Sequence, residues 1–129
     1  MESPAARILF MEDDVDTRDF VVLEFTNRNW HVTVPESHED AVRFARAEQF
    51  DLYLLDNWMP GISGVGLCEQ LREFDQQTPI LFYSGAAFEK EIQGALACGA
   101  QGYIVKPASG DKLAAEVQRL ISESATNGG

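Results

Sequence analysis

Short runs of apolar residues recur along the whole chain and alternate with longer amphipathic stretches. Five of these runs have the length of a β-strand, and four of the five lack a strict alternation of apolar and polar side chains. Strands that are covered on both faces of a parallel sheet show this unbroken apolar pattern. The predicted strands are residues 7–11, 31–34, 51–55, 79–83 and 102–105.

A helical pattern follows each predicted strand, with apolar residues recurring at helix spacing. Ser37 and Asp40 have the spacing of a capping box at the start of the second helix, and Gly99 is a natural stop for the fourth. Strict alternation of strand and helix predicts a parallel sheet with helices on both faces, because crossovers between parallel strands are right-handed. The predicted helices are residues 17–29, 38–48, 64–74, 87–98 and 111–123.

The pattern predicts a single doubly wound α/β domain over residues 1–129. This length matches one ordinary globular domain, and 45% of the residues are hydrophobic, which is enough to form a buried core. We expect an ordered core over about residues 7–122, with loose ends at residues 1–5 and 125–129. No repeat, low-complexity tract or internal linker divides the chain.

The composition indicates which binding partners and which cellular location to expect. Aspartate and glutamate number 21 against 10 lysine and arginine residues, which leaves a net charge of −11. Such a balance argues against nucleic-acid binding and suits a cation or a basic partner. Two cysteines are too few for a disulfide framework, no apolar stretch is long enough to span a membrane, and the N-terminus lacks the pattern of a secretion signal. We therefore expect a cytoplasmic protein that binds neither nucleic acid nor membrane.

Polar residues follow the predicted strands at positions where a ligand would bind. In doubly wound sheets ligands lie beyond the carboxyl ends of the strands. The residues that follow the first, third, fourth and fifth strands are Glu12 with Asp13, Asp56, Ser84 and Lys106. Carboxylates at close range raise one another's pKa unless a cation neutralises them, and Mg²⁺ prefers such oxygen ligands. The pattern therefore indicates a hard-cation site, with an ammonium and a hydroxyl group available to bind phosphoryl oxygens.

Each of these residues also has a simple local explanation. Either Asp14 or Asp16 can cap the first helix, and we favour Asp16 because the predicted helix begins directly after it. Asp56 and Ser84 are residue types common in turns, and an isolated lysine such as Lys106 is usually solvated. Their joint occurrence on one edge of the predicted sheet favours the site over separate local explanations.

The motifs in combination resemble the receiver domain of two-component response regulators. They are EDD after the first strand, LLDNWMPGISG at the third, FYSG at the fourth and YIVKP at the fifth. They occur in the order and at the separations familiar from that family, and the resemblance covers about residues 7–122. It implies a phosphorylation-activated switch with a flavodoxin-like fold, whose five parallel strands lie in the order 2-1-3-4-5.

The resemblance implies a role for each residue at this edge. Asp56 would be the phosphoacceptor, which receives a phosphoryl group from a phosphohistidine on a sensor histidine kinase or a histidine phosphotransfer protein. Glu12 and Asp13 would bind Mg²⁺, Glu12 through water, together with Asp56 and the main-chain carbonyl of Trp58. Lys106 would pair first with the Asp56 carboxylate and then with the phosphoryl group.

The resemblance also implies a switch. Ser84 would move to hydrogen-bond the phosphoryl group, and Tyr103 would turn inward as Ser84 moves. The Lys106–Pro107 peptide bond is expected to be cis. Phosphorylation would change a surface formed by the fourth helix, the fifth strand and the fifth helix, where a downstream protein effector binds. No effector domain follows residue 123, so we expect either a stand-alone receiver that acts through protein contacts or a domain excised from a longer regulator or hybrid kinase.

Two residues depart from the family pattern. Asn57 replaces a residue that is usually aliphatic, which predicts a more polar end to the third strand. Trp58 is unusually bulky for a position close to the entrance of the site. We predict that it shields the acyl phosphate from water or contacts a partner.

Two other classes of function fit the same fold. A Mg²⁺-dependent phosphohydrolase would use Asp56 as its nucleophile, but that chemistry normally uses a second acid two residues later, where this chain has Trp58. A docking module that is never phosphorylated would lack Asp56, Lys106 or one of the acidic pair, and none is lost here. We therefore expect a phosphoacceptor that assists its own phosphotransfer and dephosphorylation and turns over no external substrate.

Overall fold

The computed structural model describes residues 5–127, in which strands and helices alternate in the predicted order. Within this range the strands are β1 (Ala6–Met11), β2 (Trp30–Thr33), β3 (Leu52–Leu55), β4 (Ile80–Ser84) and β5 (Gly102–Val105). The helices are α1 (Val15–Thr26), α2 (His38–Ala47), α3 (Gly64–Arg72), α4 (Glu89–Ala97) and α5 (Gly110–Asn127). Every predicted strand and helix is present, and most of the observed bounds differ from the predicted ones by a few residues.

The strands form one parallel sheet in the order β2-β1-β3-β4-β5. This order confirms the predicted doubly wound, flavodoxin-like topology, with the winding reversing between β1 and β3. Met11, the last residue of β1, is level with Leu55, the last residue of β3. The segments that follow β1 and β3 therefore emerge side by side at one edge of the sheet.

Apolar layers cover both faces of the sheet. One face packs against α1 and α5, and its fully buried side chains include Phe10, Phe25 and Val117. The other face packs against α2, α3 and α4, where Leu71 is fully buried and Ala95 is the one buried residue of α4. Because neighbouring strand residues point to opposite faces, the unbroken apolar runs supply both layers.

The start of α1 corrects one prediction. The helix begins at Val15, and Asp14 rather than Asp16 is its N-cap. The Asp14 carboxylate accepts hydrogen bonds from the backbone N–H of Thr17 at 2.9 Å and from the Thr17 hydroxyl at 2.7 Å. The prediction of Asp16 is wrong because apolar spacing locates the buried face of a helix without fixing its first residue. Asp16 instead lies in the first turn, where a negative charge is favourable near the helix N-terminus.

Two other helix signals act as predicted. Ser37 caps α2, since its hydroxyl accepts a hydrogen bond from the Asp40 N–H at 3.1 Å. The Asp40 carboxylate binds Arg43, so the serine half of the predicted capping box carries the cap. Gly99 follows the end of α4 with a φ of 111°, a conformation that glycine adopts without strain.

The C-terminal helix is longer than predicted. It continues to Asn127, so the loose tail predicted to begin at residue 125 is wrong for residues 125–127. Residues 1–4 and 128–129, which complete the predicted loose ends, lie outside the described residues. Among residues 5–127, no helix has both the length and the apolar character needed to cross a membrane.

Candidate functional site

Three carboxylates meet at the edge of the sheet where β1 and β3 end. Glu12 and Asp13 follow β1, and Asp56 follows β3. One carboxylate oxygen from each residue lies within 4.8 Å of those of the other two. The backbone holds the two segments together, because the Asp56 N–H donates a hydrogen bond to the Met11 carbonyl at 3.2 Å. The structure thus brings together the acidic residues that the sequence analysis placed at this edge.

The three carboxylates differ in their exposure. Glu12 and Asp56 are only 2% and 5% exposed, whereas Asp13 is exposed. One Glu12 oxygen accepts a hydrogen bond from the Asp14 N–H at 3.2 Å, and one Asp56 oxygen accepts from the Trp58 N–H at 3.3 Å. The cluster therefore combines two oriented, buried carboxylates with one that faces solvent.

Lys106 supplies a counter-charge to this cluster. Its Nζ lies 2.7 Å from Glu12 Oε1 and 3.4 Å from Asp56 Oδ2, so its closer partner is Glu12. The predicted cis peptide bond between Lys106 and Pro107 is confirmed. The Lys106 N–H also donates a hydrogen bond to the Ser84 carbonyl at 2.9 Å, which joins the ends of β4 and β5.

Burial and neighbouring charges shift the pKa values of Glu12 and Lys106. Burial raises the pKa of Glu12 and the nearby Asp56 carboxylate adds to this rise, while the hydrogen bond from Lys106 opposes it. Burial by itself lowers the pKa of Lys106, but the hydrogen bond to Glu12 and the charges of Asp56 and Glu12 outweigh it, so the pKa of Lys106 is raised. Lys106 therefore stays cationic at neutral pH, and its single charge does not balance three carboxylates.

The donor set fits a hard divalent cation. Mg²⁺ takes carboxylate and carbonyl oxygens with waters in octahedral geometry. The oxygens of Glu12, Asp13 and Asp56 are close enough to share one ion. Lys106 supplies only one positive charge beside three carboxylates. A bound cation at this point would relieve the repulsion among them.

Ser84 and Tyr103 are joined through Ala86, a residue that the sequence analysis did not single out. The fully buried Ser84 hydroxyl accepts a hydrogen bond from the Ala86 N–H at 3.2 Å. The Ala86 carbonyl accepts one from the Tyr103 hydroxyl at 2.6 Å, and the Tyr103 ring stacks on Phe82 with the ring centres 5.5 Å apart. The two predicted switch residues are therefore tied to opposite ends of one residue. Alanine carries no reactive group, so nothing in the sequence marked this position.

Asn57 holds the segment between β3 and α3. Its side chain is buried and its Oδ1 accepts a hydrogen bond from the Val65 N–H at 3.3 Å. Its carbonyl accepts a hydrogen bond from the Gly64 N–H at 3.1 Å. Asn57 thus forms the polar strand end that the sequence predicts, and it ties that strand end to the first turn of α3, whose N-cap is Ser63. Trp58, the next residue, is 56% exposed at the edge of the site.

A second aromatic residue lies against the site. The Tyr83 ring is 5.5 Å from Lys106 Nζ, a cation–π contact that helps to hold the ammonium group in place. Tyr83 precedes Ser84 on β4, so its position follows from the strand register and not from any motif. The sequence analysis missed this contact because only the packing of β4 against β5 brings the two side chains together.

Comparison with known proteins decides the family. The family model described as the response regulator receiver domain matches residues 8–118. The chain belongs to the response regulator receiver family. Receiver domains of two-component systems are phosphorylation-activated signalling switches, as the resemblance in the sequence implies.

Curated relatives of this receiver domain include longer regulators. The transcriptional activator protein PfeR of Pseudomonas aeruginosa is 35% identical over 118 residues, which are 92% of this chain and 38% of PfeR. The response regulator ArlR of Staphylococcus aureus is 30% identical over 115 residues, which are 89% of this chain and 52% of ArlR. The chain therefore spans about half or less of the length of these two relatives.

Solved receiver domains share the fold. A CheY-like receiver domain from Methanospirillum hungatei superimposes with a TM-score of 0.89 at 22% identity, over 95% of this chain and 98% of that one. The chemotaxis protein CheY4 of Vibrio cholerae superimposes with a TM-score of 0.81 at 26% identity, over 89% of this chain and 98% of that one. The first of these likenesses bears on the fold alone.

Proposed function

We propose that this receiver domain accepts a phosphoryl group on Asp56 from a phosphohistidine of a sensor histidine kinase or a histidine phosphotransfer protein. An Asp56 carboxylate oxygen attacks the phosphorus and forms an acyl phosphate. The phosphorus–nitrogen bond breaks, and its electron pair stays on the histidine nitrogen. The observation that carries the proposal is the buried Asp56 carboxylate within reach of both Lys106 Nζ, at 3.4 Å, and two further carboxylates.

The cation implied by this site is Mg²⁺, which Glu12, Asp13, Asp56 and the main-chain carbonyl of Trp58 would hold. When bound, it neutralises the negative charge that accumulates as a phosphoryl group meets a carboxylate. The residues contribute positioning, since hydrogen bonds from the backbone fix Glu12 and Asp56 before the ion arrives. The exposed Asp13 carboxylate marks the side on which the ion and the phosphodonor enter.

Lys106 and Ser84 would bind the phosphoryl group once it is attached to Asp56. The Lys106 ammonium already lies beside the Asp56 carboxylate. After phosphoryl transfer the negative charge lies on the phosphoryl oxygens, and the ammonium would shift to pair with them. Ser84 ends β4 on the neighbouring strand, and its hydroxyl needs to exchange its Ala86 partner for a phosphoryl oxygen. Both residues act by orienting and neutralising charge, which is most of what phosphoryl transfer requires.

The switch passes from Ser84 to the surface of α4, β5 and α5. When Ser84 turns to the phosphoryl group, it releases the Ala86 N–H, and the Ala86 carbonyl carries that movement to the Tyr103 hydroxyl on β5. The helix α4 begins shortly after Ala86, at Glu89, and Ala95 is its one buried residue. With so little of it buried, α4 is held loosely and can shift at a low cost in free energy. We propose that a downstream protein effector reads this surface.

We further propose that the domain turns over no external substrate. An aspartate nucleophile in a phosphohydrolase needs a neighbouring acid for the leaving group, and the exposed Trp58 occupies the position two residues after Asp56. The bound phosphoryl group would leave only to water or back to a partner. Cys68 and Cys98 are free thiols, which supports a cytoplasmic setting for this exchange.

Phosphorylation can be tested directly by intact mass after incubation with Mg²⁺ and acetyl phosphate. The wild-type protein should gain one phosphoryl group, and Asp56→Asn should gain none because its amide is not a nucleophile. Asp51→Asn is a matched control, since Asp51 is an exposed aspartate before β3 and should leave the gain unchanged. No gain in the wild type under conditions where Mg²⁺ binds would contradict the proposal and favour a docking module that is not phosphorylated.

A further inference from the structure

The first turn of α4 is built unfavourably for an isolated domain. Its N-cap position is Phe88, which makes no side-chain capping hydrogen bond. Serine, threonine, aspartate and asparagine are the residues that normally stabilise this position. The Phe88 side chain is also 67% exposed, so it contributes little to the core. The chain thus gives up a helix cap here and presents a large aromatic group to solvent.

Glu91, in the same turn, has a second unfavourable feature. Its Oε2 atom is buried and has no hydrogen-bond partner among the described residues. A buried carboxylate oxygen without a donor costs free energy, and such atoms are rare in native proteins. This oxygen is closed to solvent, so a donor on another molecule can reach it only when the Glu91 side chain turns outward.

Glu91 also lines a groove between α4 and the segment that joins β3 to α3. The groove encloses about 330 Å³, and its other walls include Trp58, Val65, Lys90 and Gly94. The Trp58 side chain is 56% exposed, and the missing side chain of Gly94 leaves the α4 wall low. Half-exposed aromatic groups beside a small apolar depression are typical of the residues that dominate protein–protein binding. We name this depression, with Phe88 at the same end of α4, the α4 groove.

We propose that the α4 groove binds a segment of a partner protein that carries a large apolar side chain beside a lysine or arginine. The apolar side chain would occupy the depression next to Trp58 and Val65. The cation would pair with the Glu91 carboxylate, whose side chain would turn outward so that its unpartnered oxygen gains a donor. A volume near the lower limit for ligand pockets suits one or two side chains better than a large cofactor.

The charges favour a basic partner. The chain carries a net charge of −11, and the first turn of α4 is acidic through Glu89 and Glu91. Lys90 is the one cation on the groove wall. Because Lys90 is exposed, its charge is screened by water more strongly than a charge at the buried Glu91 oxygen. A nucleic acid is disfavoured, because its phosphates would be repelled by this surface.

The α4 groove lies close to the switch residues along the chain, and this part of the inference rests on the function proposed above. Ser84 and Ala86 are joined by a hydrogen bond, and Phe88 follows Ala86 by two residues. Trp58 follows the phosphoacceptor Asp56 by two residues on the other wall. A phosphoryl group on Asp56 would therefore disturb both walls of the α4 groove and change its affinity for the partner.

The groove can be tested without knowing the partner. A phage-displayed library of random twelve-residue peptides is selected on the unphosphorylated full chain, and enriched peptides are measured by fluorescence anisotropy. We expect enriched peptides to combine a large apolar residue with a nearby arginine or lysine. Phe88→Ala and Glu91→Gln should each weaken their binding by at least about fivefold, because hot-spot residues carry most of the affinity.

The controls are an exposed apolar residue and an exposed glutamate elsewhere on the molecule. Leu23→Ala on α1 and Glu73→Gln after α3 should leave the affinity unchanged, and circular dichroism confirms that each variant folds. Failure to enrich any peptide, enrichment of peptides without a cation, or equal binding to the groove variants would overturn the proposal. Because no phosphodonor is present, these outcomes do not depend on whether Asp56 is phosphorylated. Unchanged affinity after addition of Mg²⁺ and beryllium fluoride, an analogue of the phosphoryl group, would overturn the coupling to the switch.

Discussion

Gly64 shows how a single residue positions the phosphoacceptor. It begins α3, and a Cβ atom there would overlap the Asp56 carbonyl oxygen and the Phe82 ring. The missing side chain lets the N-terminal end of α3 lie directly against the end of β3. Glycine at this position therefore serves a close backbone approach, which the motif around it does not reveal.

Gly64→Ala should destabilise the fold and slow phosphorylation. The extra methyl group must push β3 and α3 apart, and overpacking of this kind costs about 1–3 kcal/mol. The measurements are the urea midpoint and the rate of phosphoryl gain from acetyl phosphate. Gly94→Ala is the matched control, since its Cβ would contact only Val65, at 4.0 Å, and alanine is more stable than glycine in a helix interior by about 0.5–1 kcal/mol. Equal stability of Gly64→Ala and wild type would contradict the steric explanation.

Asp75 is the residue on which the turn before β4 depends. Its carboxylate accepts hydrogen bonds from the Tyr53 hydroxyl at 2.6 Å, the Thr78 hydroxyl at 2.6 Å, and the N–H groups of Gln77 and Thr78 at 3.0 Å. Partial burial acts to raise the pKa of Asp75. The hydrogen bonds from Thr78, Tyr53 and Gln77 outweigh burial and lower the pKa from 3.8 to about 2.

Asp75→Asn should destabilise the protein at neutral pH by about 1.5–3 kcal/mol, the range for hydrogen bonds to a charged group. The folded-state pKa is lower than the unfolded one, so the ionised carboxylate stabilises the fold above about pH 4 and loses this effect as the pH falls through about 2. The difference in urea midpoint between wild type and variant, measured from pH 7 to pH 2, should therefore shrink in acid. A difference that is constant with pH would show that the charge of Asp75 is not what stabilises the turn.

At the scale of the elements, the segment between β3 and α3 covers one side of the site. Asn57 fixes its start through the Val65 N–H, and Gly61, with a φ of 87°, allows its turn. Trp58 projects from this segment toward Gly85, which follows Ser84, with its ring 4.0 Å from where a Cβ of Gly85 would lie. The Trp58 ring thus reaches from the segment after β3 to the residue that follows Ser84 at the end of β4.

Trp58→Ala should shorten the lifetime of the phosphorylated protein several-fold. Removing the ring opens the acyl phosphate to water, and hydrolysis needs a water molecule in line with the bond to Asp56. The rate of phosphoryl loss is measured by intact mass after removal of acetyl phosphate. Leu23→Ala is the control, since Leu23 is also a large exposed apolar residue but lies on α1, outside the switch segment and the α4 groove. Equal rates for wild type and Trp58→Ala would remove the shielding role and leave partner contact as the function of this residue.

At the scale of the whole molecule, ion binding and folding are coupled. The two halves of the acidic cluster come from chain segments over forty residues apart, and only the folded sheet brings them within 4.8 Å. An ion that binds the folded state and not the unfolded chain stabilises the fold by mass action. The charge excess at the site, with Lys106 as its single cation among the described contacts, adds to this effect.

Mg²⁺ should therefore raise the melting temperature of the protein. At about ten times its Kd, the added stability is about 1.4 kcal/mol, which corresponds to several degrees for a domain of this size. Calorimetry of the wild type in increasing Mg²⁺ measures the shift. Asp13→Ala should abolish most of it, because Asp13 is an exposed member of the cluster whose loss does not disturb the core. Asp16→Ala, in the same acidic stretch but outside the cluster, should retain it, and an equal shift in both variants would contradict the assignment of the ligands.

Particular residues show where the sequence was sufficient. The unbroken apolar runs predicted five strands and their parallel pairing, since only strands covered on both faces hide so many apolar side chains. The rim residues Glu12, Asp56 and Lys106 could then be placed on one edge, because parallel strands share the direction of their carboxyl ends. The helix cap at Asp14 could not be chosen over Asp16, since two nearby aspartates fit the same local pattern.

The order of the elements, the doubly wound fold and the acidic edge were determined by the sequence alone, because apolar periodicity and strand ends are local properties. Only the tertiary structure decided which side chains meet across that edge. Lys106 pairs more closely with Glu12 than with Asp56, across a separation of 94 residues, and Ala86 links Ser84 to Tyr103. The unpartnered Glu91 oxygen and the groove beside Trp58 likewise arise from the packing of α4 against a distant loop. Such contacts depend on distances of a few ångströms between remote segments, which no local pattern of residues specifies.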